Sequence, residues 1–462
     1  MTSTQHALDL ANSGMPDAKE RWLDWLRIPS ISAQSVHAHD CRTAAEFARA
    51  ELASLGFTAS VRETSGQPVV IAHHPGPGPD APHLLYYGHY DVQPPEPLEL
   101  WTSPPFEPAI VDGPNGLRVV ARGAVDDKGQ VAMWLGAFRA WHAATGSMPV
   151  RITVLIEGEE EIGSPSLDTF LSANAPELAA DVAVISDTGM WDIDTPTLTT
   201  SLRGMAYMEV ILRGPARDLH SGVYGGSALN PINALTHALG QLHDAQGRIQ
   251  LPGFYDGVSD IPPELAAQWA GLGFDEGKFL GDIGLRTPVG EVDRTALERL
   301  WARPTADING IWGGYQGQGG KTVIAAEAGA KVSFRLVPGQ DPQHVAEAFK
   351  TFIRDRVPAD AQLAFKGHSR NAGIEVATDS VFVAAAREAL GEEYGKEAVL
   401  IGCGGSIPVV GSFRRLLGID SLLMGFGLED DQPHSPNEKF DVKCFEHGLR
   451  SHVRLLGKLG GV

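Results

Sequence analysis

Residues 84–91 read Leu84-Leu85-Tyr86-Tyr87-Gly88-His89-Tyr90-Asp91, and residues 150–161 read Val150-Arg151-Ile152-Thr153-Val154-Leu155-Ile156-Glu157-Gly158-Glu159-Glu160-Glu161. Each is a short apolar run, β-branched or aromatic, that stops abruptly at a polar cluster. Such runs predict strands buried on both faces. Val69–Ile71 and Val182–Ile185 read the same way, the latter leading into Ser186-Asp187. So does Ser421–Met424, followed past a glycine-rich loop by Pro433-His434-Ser435-Pro436. Between the strands, amphipathic stretches at Arg21–Leu26, Thr43–Leu55 and Gln130–Ala144 predict helices. Strands alternating with helices predict an α/β fold whose mixed, largely parallel sheet is flanked by helices.

The pattern changes in the middle of the chain. Tyr207–Leu212 alternates like a half-exposed strand, Pro231–Leu242 reads as a helix and Lys331–Leu336 as a strand. Residues 251–320 are rich in Gly and Pro and have no regular period. After residue 373 the α/β style returns, with a helix at Val381–Leu390, strands at Val399–Ile401 and Ser421–Met424, and a helix near Phe445–Leu456. The expected organisation is one α/β domain formed by residues 1–200 and 374–462, interrupted by a smaller α+β domain at 201–373.

Composition narrows the function. The 462 residues are 43% hydrophobic and 20% charged, an ordinary globular balance. Lys plus Arg total 37 against 57 Asp plus Glu, a net charge of −20. Such a surface disfavours nucleic acid and anionic membranes, both of which require clustered cations. The three cysteines, Cys41, Cys403 and Cys444, are widely spaced, which argues against a disulfide framework or a thiolate metal site. Neither a signal-like N-terminus nor a membrane-length apolar run is visible, so a cytoplasmic location is expected.

In open α/β sheets, ligands bind beyond the carboxyl ends of the strands. Those ends here carry His89, Asp91, Glu159-Glu160-Glu161, Asp187 and His434. Asp126-Asp127 opens the helix that starts near Gln130. Taken singly, all but the Glu160-Glu161 pair have ordinary readings as turn, N-cap or solvated loop residues. Jointly, two histidines and several carboxylates have the composition of a nitrogen–oxygen metal site. Two divalent ions sharing a carboxylate polarise a carbonyl and activate a water, and adjacent glutamates can supply one ligand and one free general base. Other motifs fail. Gly314–Thr322 misses a phosphate loop by one position, because residue 315 is tyrosine. Ser406 lacks the second glycine of a nucleophile elbow. His73-His74 is expected in a solvated loop, and Trp22, Trp25, Trp134 and Trp141 in the core.

The ordered set Gly88-His89-Tyr90-Asp91-Val92-Gln93, Arg122–Gly129, Glu160-Glu161-Ile162-Gly163-Ser164, Ser186-Asp187, Asp218-Leu219-His220-Ser221-Gly222 and Pro433–Glu438 resembles the co-catalytic zinc peptidases. That family comprises carnosinases, cytosolic non-specific dipeptidases, aminoacylases and glutamate carboxypeptidases. Lys321-Thr322-Val323-Ile324 and Phe334–Pro338 are most similar to the dipeptidase branch. The resemblance covers nearly the whole chain. It implies that Asp126 bridges two divalent metals, with His89 and Asp187 completing one site and Glu161 and His434 the other. The metal expected first is Zn²⁺, with Mn²⁺ or Co²⁺ as alternatives. It implies Glu160 as general base, Asp91 as the carboxylate orienting His89, and a cis peptide between Asp126 and Asp127. In this family an aspartate at position 187 goes with dipeptidases and aminopeptidase-like members, and a glutamate with carboxypeptidases and deacylases. The inserted domain would be a lid and dimerisation domain. His220 would reach the partner subunit's site to stabilise the oxyanion. Arg335, with Gly405 and Ser406, would bind the substrate's carboxylate.

The expected activity is therefore metal-dependent dipeptide hydrolysis by a homodimer. An N-acyl-amino-acid deacylase or carbamoyl hydrolase on the same site is the alternative. A catalytically dead metal-binding member is a third reading, opposed by the complete ligand set and the presence of Glu160.

Overall fold

The computed structural model describes residues 3–405 and 407–462, so Ser406 lies outside the described residues. Two compact units form. One holds the residues up to Thr200 with Val376–Leu400 and Ser412–Val462, and the other holds Ser201–Glu375 with Ile401–Gly411. The sequence reading gave all of 374–462 to the first domain. Residues 401–411 group with the second because the Arg203 amide donates to the carbonyls of Cys403 and Gly405.

Across the first unit the strands run in the order Thr58–Arg62, Val69–His74, Arg151–Glu157, His83–His89, Val182–Ile185, Asp420–Leu423 and Thr197–Leu202. The central strands, from Arg151–Glu157 to Asp420–Leu423, are mutually parallel. The flanking strands are antiparallel to their neighbours. His89 lies opposite Glu157, and Ile185 opposite both Tyr87 and Leu423, so the central carboxyl ends align. Leu84, Leu85, Tyr86 and Tyr87 are wholly buried. The Tyr86 ring packs 5.3 Å from Trp134 and 5.0 Å from Phe138 of the helix Lys128–Thr145. Tyr87 faces the other way, 5.5 Å from Phe413. With both faces covered, the strand shows no polar alternation. The four tryptophans expected in the core are there, all 1% exposed or less.

His73-His74 departs from expectation. It ends the strand Val69–His74, with His74 buried and its Nδ1 accepting from the Gly76 amide at 3.0 Å. Pairing with Ile152 and Thr153 draws it into the sheet.

The second unit contains an antiparallel sheet in the order Thr305–Gly313, Glu327–Leu336, Gly204–Arg213, Gln362–Asn371. Ala206, Met208, Val210 and Leu212 form one buried core with Phe334, Phe349 and Phe352. Only one side of Gly204–Arg213 is fully buried, which is why its alternation was readable. Among the described residues no helix is long and apolar enough to cross a membrane.

His452 of the final helix, Val442–Gly460, is wholly buried between the Tyr86 hydroxyl and Ser186 Oγ, each 3.2 Å away. Burial pushes its pKa from 6.5 down to about 3. Between those values the unfolded chain binds the extra proton, so stability contributed by the neutral ring is lost as pH falls from 6.5 towards 3. Urea unfolding of a His452→Asn variant should show a shallower loss of stability across this window than the parent. Parallel acid limbs would remove His452 from the account.

Candidate metal centre

Each strand end contributes by a different local device. His89 is the last residue of its strand, wholly buried. Its Nδ1 lies 3.0 Å from the Asp91 carbonyl and 3.3 Å from Asp91 Oδ1. Its Nε2 faces Asp126 Oδ1 at 3.1 Å and Asp187 Oδ2 at 4.0 Å. Asp126 precedes the helix Lys128–Thr145, and the Asp126–Asp127 peptide is cis, as the resemblance implied. Asp127 is not a side-chain N-cap; its Oδ2 accepts instead from the His89 amide at 3.1 Å.

Glu160 and Glu161 lie on the short helical turn Glu160–Ile162 that follows the strand Arg151–Glu157. Asp91 clamps this turn. Its carboxylate accepts from the amides of Glu160 at 3.2 Å and Glu161 at 3.1 Å, and from Ser32 Oγ at 2.6 Å. Glu161 Oε2 also accepts from Gln93 Nε2 at 2.9 Å. His434 sits in a loop with a left-handed φ of 62°. Its Nε2 meets Asp126 Oδ2 at 2.9 Å and Glu161 Oε2 at 3.2 Å. The result is two adjoining donor groups, His89–Asp126–Asp187 and Asp126–Glu161–His434, each with ligand atoms within 4.8 Å of one another. Asp126 belongs to both. Among the described residues, no hydrogen bond or ion pair engages the Glu160 carboxylate.

The electrostatics are those of a crowded anion cluster. No Lys or Arg among the described residues pairs with Asp126, Glu160, Glu161 or Asp187; the ion-pair partners of Asp126, Glu161 and Asp187 are the two histidines. Burial, and then neighbouring carboxylates, push Glu160 up to about 8 and Asp187 to about 7, and raise Glu161 as well. Burial also pushes Asp126 up, but hydrogen bonds from His434 and His89 outweigh it and hold it below the usual range. His434 is lifted to about 10 by Asp126 and Glu161. Without a cation, then, the cluster must hold protons on histidine and carboxylate alike. The donors are imidazole and carboxylate only, which fits a divalent ion such as Zn²⁺ or Mn²⁺.

His220, Arg335 and Gly405 lie on the second unit. His220 is exposed at the end of Leu219–His220, and its Nδ1 accepts from the Gly222 amide at 3.0 Å. Arg335 lies on Glu327–Leu336, opposite Thr305 and Met205. The Gly405 amide approaches Cys403 Sγ at 3.3 Å. Sequence reasoning missed Gln93 and Glu438, although both stand inside the quoted motifs, and Arg203, whose Nε donates to the Gly404 carbonyl at 3.0 Å.

Residues 85–458 match the model of Peptidase family M20/M25/M40. The chain belongs to this peptidase family. Cys-Gly metallodipeptidase dug1 of Schizosaccharomyces pombe is 31% identical over 450 residues, covering 94% of each chain. The Beta-Ala-His dipeptidase of Homo sapiens is 30% identical over 389 residues, 83% of this chain and 76% of that one. The structure of the M20 family metallo-carboxypeptidase Sso-CP2 from Sulfolobus solfataricus superposes with a TM-score of 0.82 at 29% identity, over 96% of this chain and 99% of that one. Membership implies divalent metal ions in this peptidase, in keeping with the donor set described above.

Anything that binds only the folded state stabilises it, by about 2.7 kcal/mol at one hundred times its Kd. Chelator-treated protein should therefore melt at a lower temperature and recover on addition of Zn²⁺, Mn²⁺ or Co²⁺. Asp126→Ala should suppress the recovery more than Asp187→Ala, since Asp126 serves both groups. Equal melting with and without metal would dismiss the centre.

Proposed function

We propose that the chain is a dipeptidase holding two divalent ions, Zn²⁺ first, with Glu160 as general base. The observation that supports this most is Glu160 itself. It is the one carboxylate of the cluster outside both donor groups and free of any hydrogen bond or ion pair among the described residues, on the same turn as Glu161. In this reading His89 and Asp187 would hold one ion and Glu161 and His434 the other, with Asp126 shared between the two groups. What such ions supply is polarisation of the scissile carbonyl and acidification of a water.

Glu160 would take a proton from the attacking water as the water oxygen bonds to the scissile carbonyl carbon, and would pass that proton to the amine as the carbon–nitrogen bond breaks and the tetrahedral oxyanion collapses. Asp91 fixes both the His89 ring and the amides of Glu160 and Glu161, so ligand and base keep one spacing. His220 from a partner subunit donates to the oxyanion. Arg335, with Gly405 and Ser406, holds the substrate's free carboxylate, which suits a planar guanidinium. The enzyme works as a cytoplasmic homodimer built through residues within 201–373. The exposed Ile308 and Ile311 on the outer strand Thr305–Gly313 offer apolar surface for that interface.

Turnover of a dipeptide panel, with N-acetyl amino acids alongside, tests the reading. Hydrolysis confined to N-acetyl amino acids would replace it with the deacylase. Glu160→Gln should keep its metals, measured by mass spectrometry, and lose about 10²–10⁴ in kcat. Near-normal kcat, or loss of a metal, would mean that Glu160 and Glu161 exchange roles.

Co-expressed His220→Ala and Glu160→Gln chains should recover activity that neither homodimer has. The mixed dimer holds one site with an intact Glu160 and an intact partner His220. Absence of rescue in verified mixed dimers would place His220 within its own subunit's chemistry.

A further inference from the structure

Glu438 lies four residues beyond His434 and is wholly buried. Its carboxylate accepts four hydrogen bonds, all from the segment that carries Asp126. Oε2 takes Arg122 Nη1 at 2.7 Å and the Gly123 amide at 2.9 Å. Oε1 takes the Val125 amide at 3.0 Å and the Asp126 amide at 3.1 Å. Its own carbonyl accepts from the Ala121 amide at 3.0 Å. The adjoining strand Lys439–Asp441 pairs with Gly116–Val120, Lys439 opposite Val120, so the two segments are zipped together from there to Asp126.

The chemistry of this contact is specific. An ionised carboxylate has only acceptor sites, about four of them, and every one here meets a donor. A glutamine would turn an NH₂ group towards N–H groups already there. Arg122, 1% exposed, supplies the compensating charge and packs 5.4 Å from the Trp101 ring centroid. The loop back to His434 is equally constrained, with left-handed backbone at His434 and Asn437. Asn437 Oδ1 accepts from the Thr102 amide at 2.7 Å and Thr102 Oγ1 at 2.9 Å.

We infer that Glu438 is a positioning residue that fixes the backbone of the shared donor Asp126 relative to His434 before any metal arrives. Its oxygens are taken by those four donors, so its action is through Asp126. The inference rests on the two-metal reading above and adds the part of the chain that sets the spacing between its donors.

The wild-type protein tests it first. In chelator-treated protein the amides of Gly123, Val125 and Asp126 should exchange slowly with deuterium. Free exchange that becomes slow only when Co²⁺ is added would overturn the inference, because the ion would then be organising the loop. The second test is Co²⁺ titration followed by absorption. Glu438→Gln should bind Co²⁺ about 10–100-fold more weakly than the parent, the usual effect of losing a hydrogen-bond partner behind a ligand. Glu438→Asp keeps the charge but withdraws its oxygens from the amides, and should weaken binding too. Phe349→Ala, which destabilises the core of the second unit, should leave Co²⁺ affinity unchanged and so separates positioning from general loosening. Folded Glu438→Gln or Glu438→Asp with parental affinity would overturn the inference. If neither variant folds, the exchange measurement decides. A parent that binds no Co²⁺ counts against the proposed function, whereas parental affinity in a Glu438 variant counts only against Glu438.

Discussion

The constraint on which the first unit depends is the exclusion of charge from the middle of a sheet covered on both faces. Leu84 to Tyr87 have no exposed surface, so a charged side chain along the strand would be desolvated without a partner. Charged groups gather at the two ends of the sheet, pairing as Arg62, Glu177 and His73 at one and clustering densely where the parallel strands end at the other. Asp126, Glu160, Glu161 and Asp187 share their surroundings with two histidines and, among the described residues, no ammonium or guanidinium partner. Burying them together is unfavourable: burial first, and then the neighbouring carboxylates, raises Glu160 and Asp187. The supporting hydrogen bonds are therefore arranged from behind. Asp91 holds the amides of Glu160 and Glu161, and Glu438 holds those of Gly123, Val125 and Asp126. Both work through backbone N–H groups and leave the clustered carboxylate oxygens to one another.

This arrangement explains what could be read in the sequence. A buried parallel strand announces its own end, because an apolar run gives way at once to polar residues. His89, Glu160, Glu161 and Asp187 were legible in that way. His73-His74 carries a similar local signal, an apolar run ending in histidines, with a different outcome. Its strand runs antiparallel to Arg151–Glu157, so its carboxyl end points to the opposite edge of the sheet. Strand direction is a property of the pairing and leaves no mark on the strand's own residues. Supporting partners were hidden for a related reason. Glu438 is 312 residues from Asp126, and nothing local says that its carboxylate faces amides rather than water.

Elsewhere legibility followed burial. Gly204–Arg213 has one fully buried side and alternates cleanly, whereas its neighbour Gln362–Asn371 has no fully buried residue and escaped notice. The helix Ser3–Ser13 buries only Ala7, Leu8 and Ala11, too few to fix a period. The edge strand Thr305–Gly313 fell inside a stretch whose Gly and Pro content masked it, and a register shift between Ile308 and Gly310 breaks its alternation.

A protein of net charge −20 with an anionic centre repels a substrate that carries a free carboxylate. The proposed reading therefore needs cations that the protein's own acids do not consume. The second unit holds such a pair. Arg203 and Arg335 lie near enough for mutual repulsion, and neither has a carboxylate at ion-pair distance among the described residues. Burial, then Arg335, pushes Arg203 down to about 10. Asp307 offsets part of this repulsion from beyond ion-pair distance, and an anion bound between the two guanidinium groups would offset more. Arg203 also holds the loop Cys403–Gly405 through its amide and its Nε. One residue thus sets both the charge of this place and the course of the glycine-rich loop beside it. In the proposed reading this is the place that takes the substrate's free carboxylate, for which a planar guanidinium is suited.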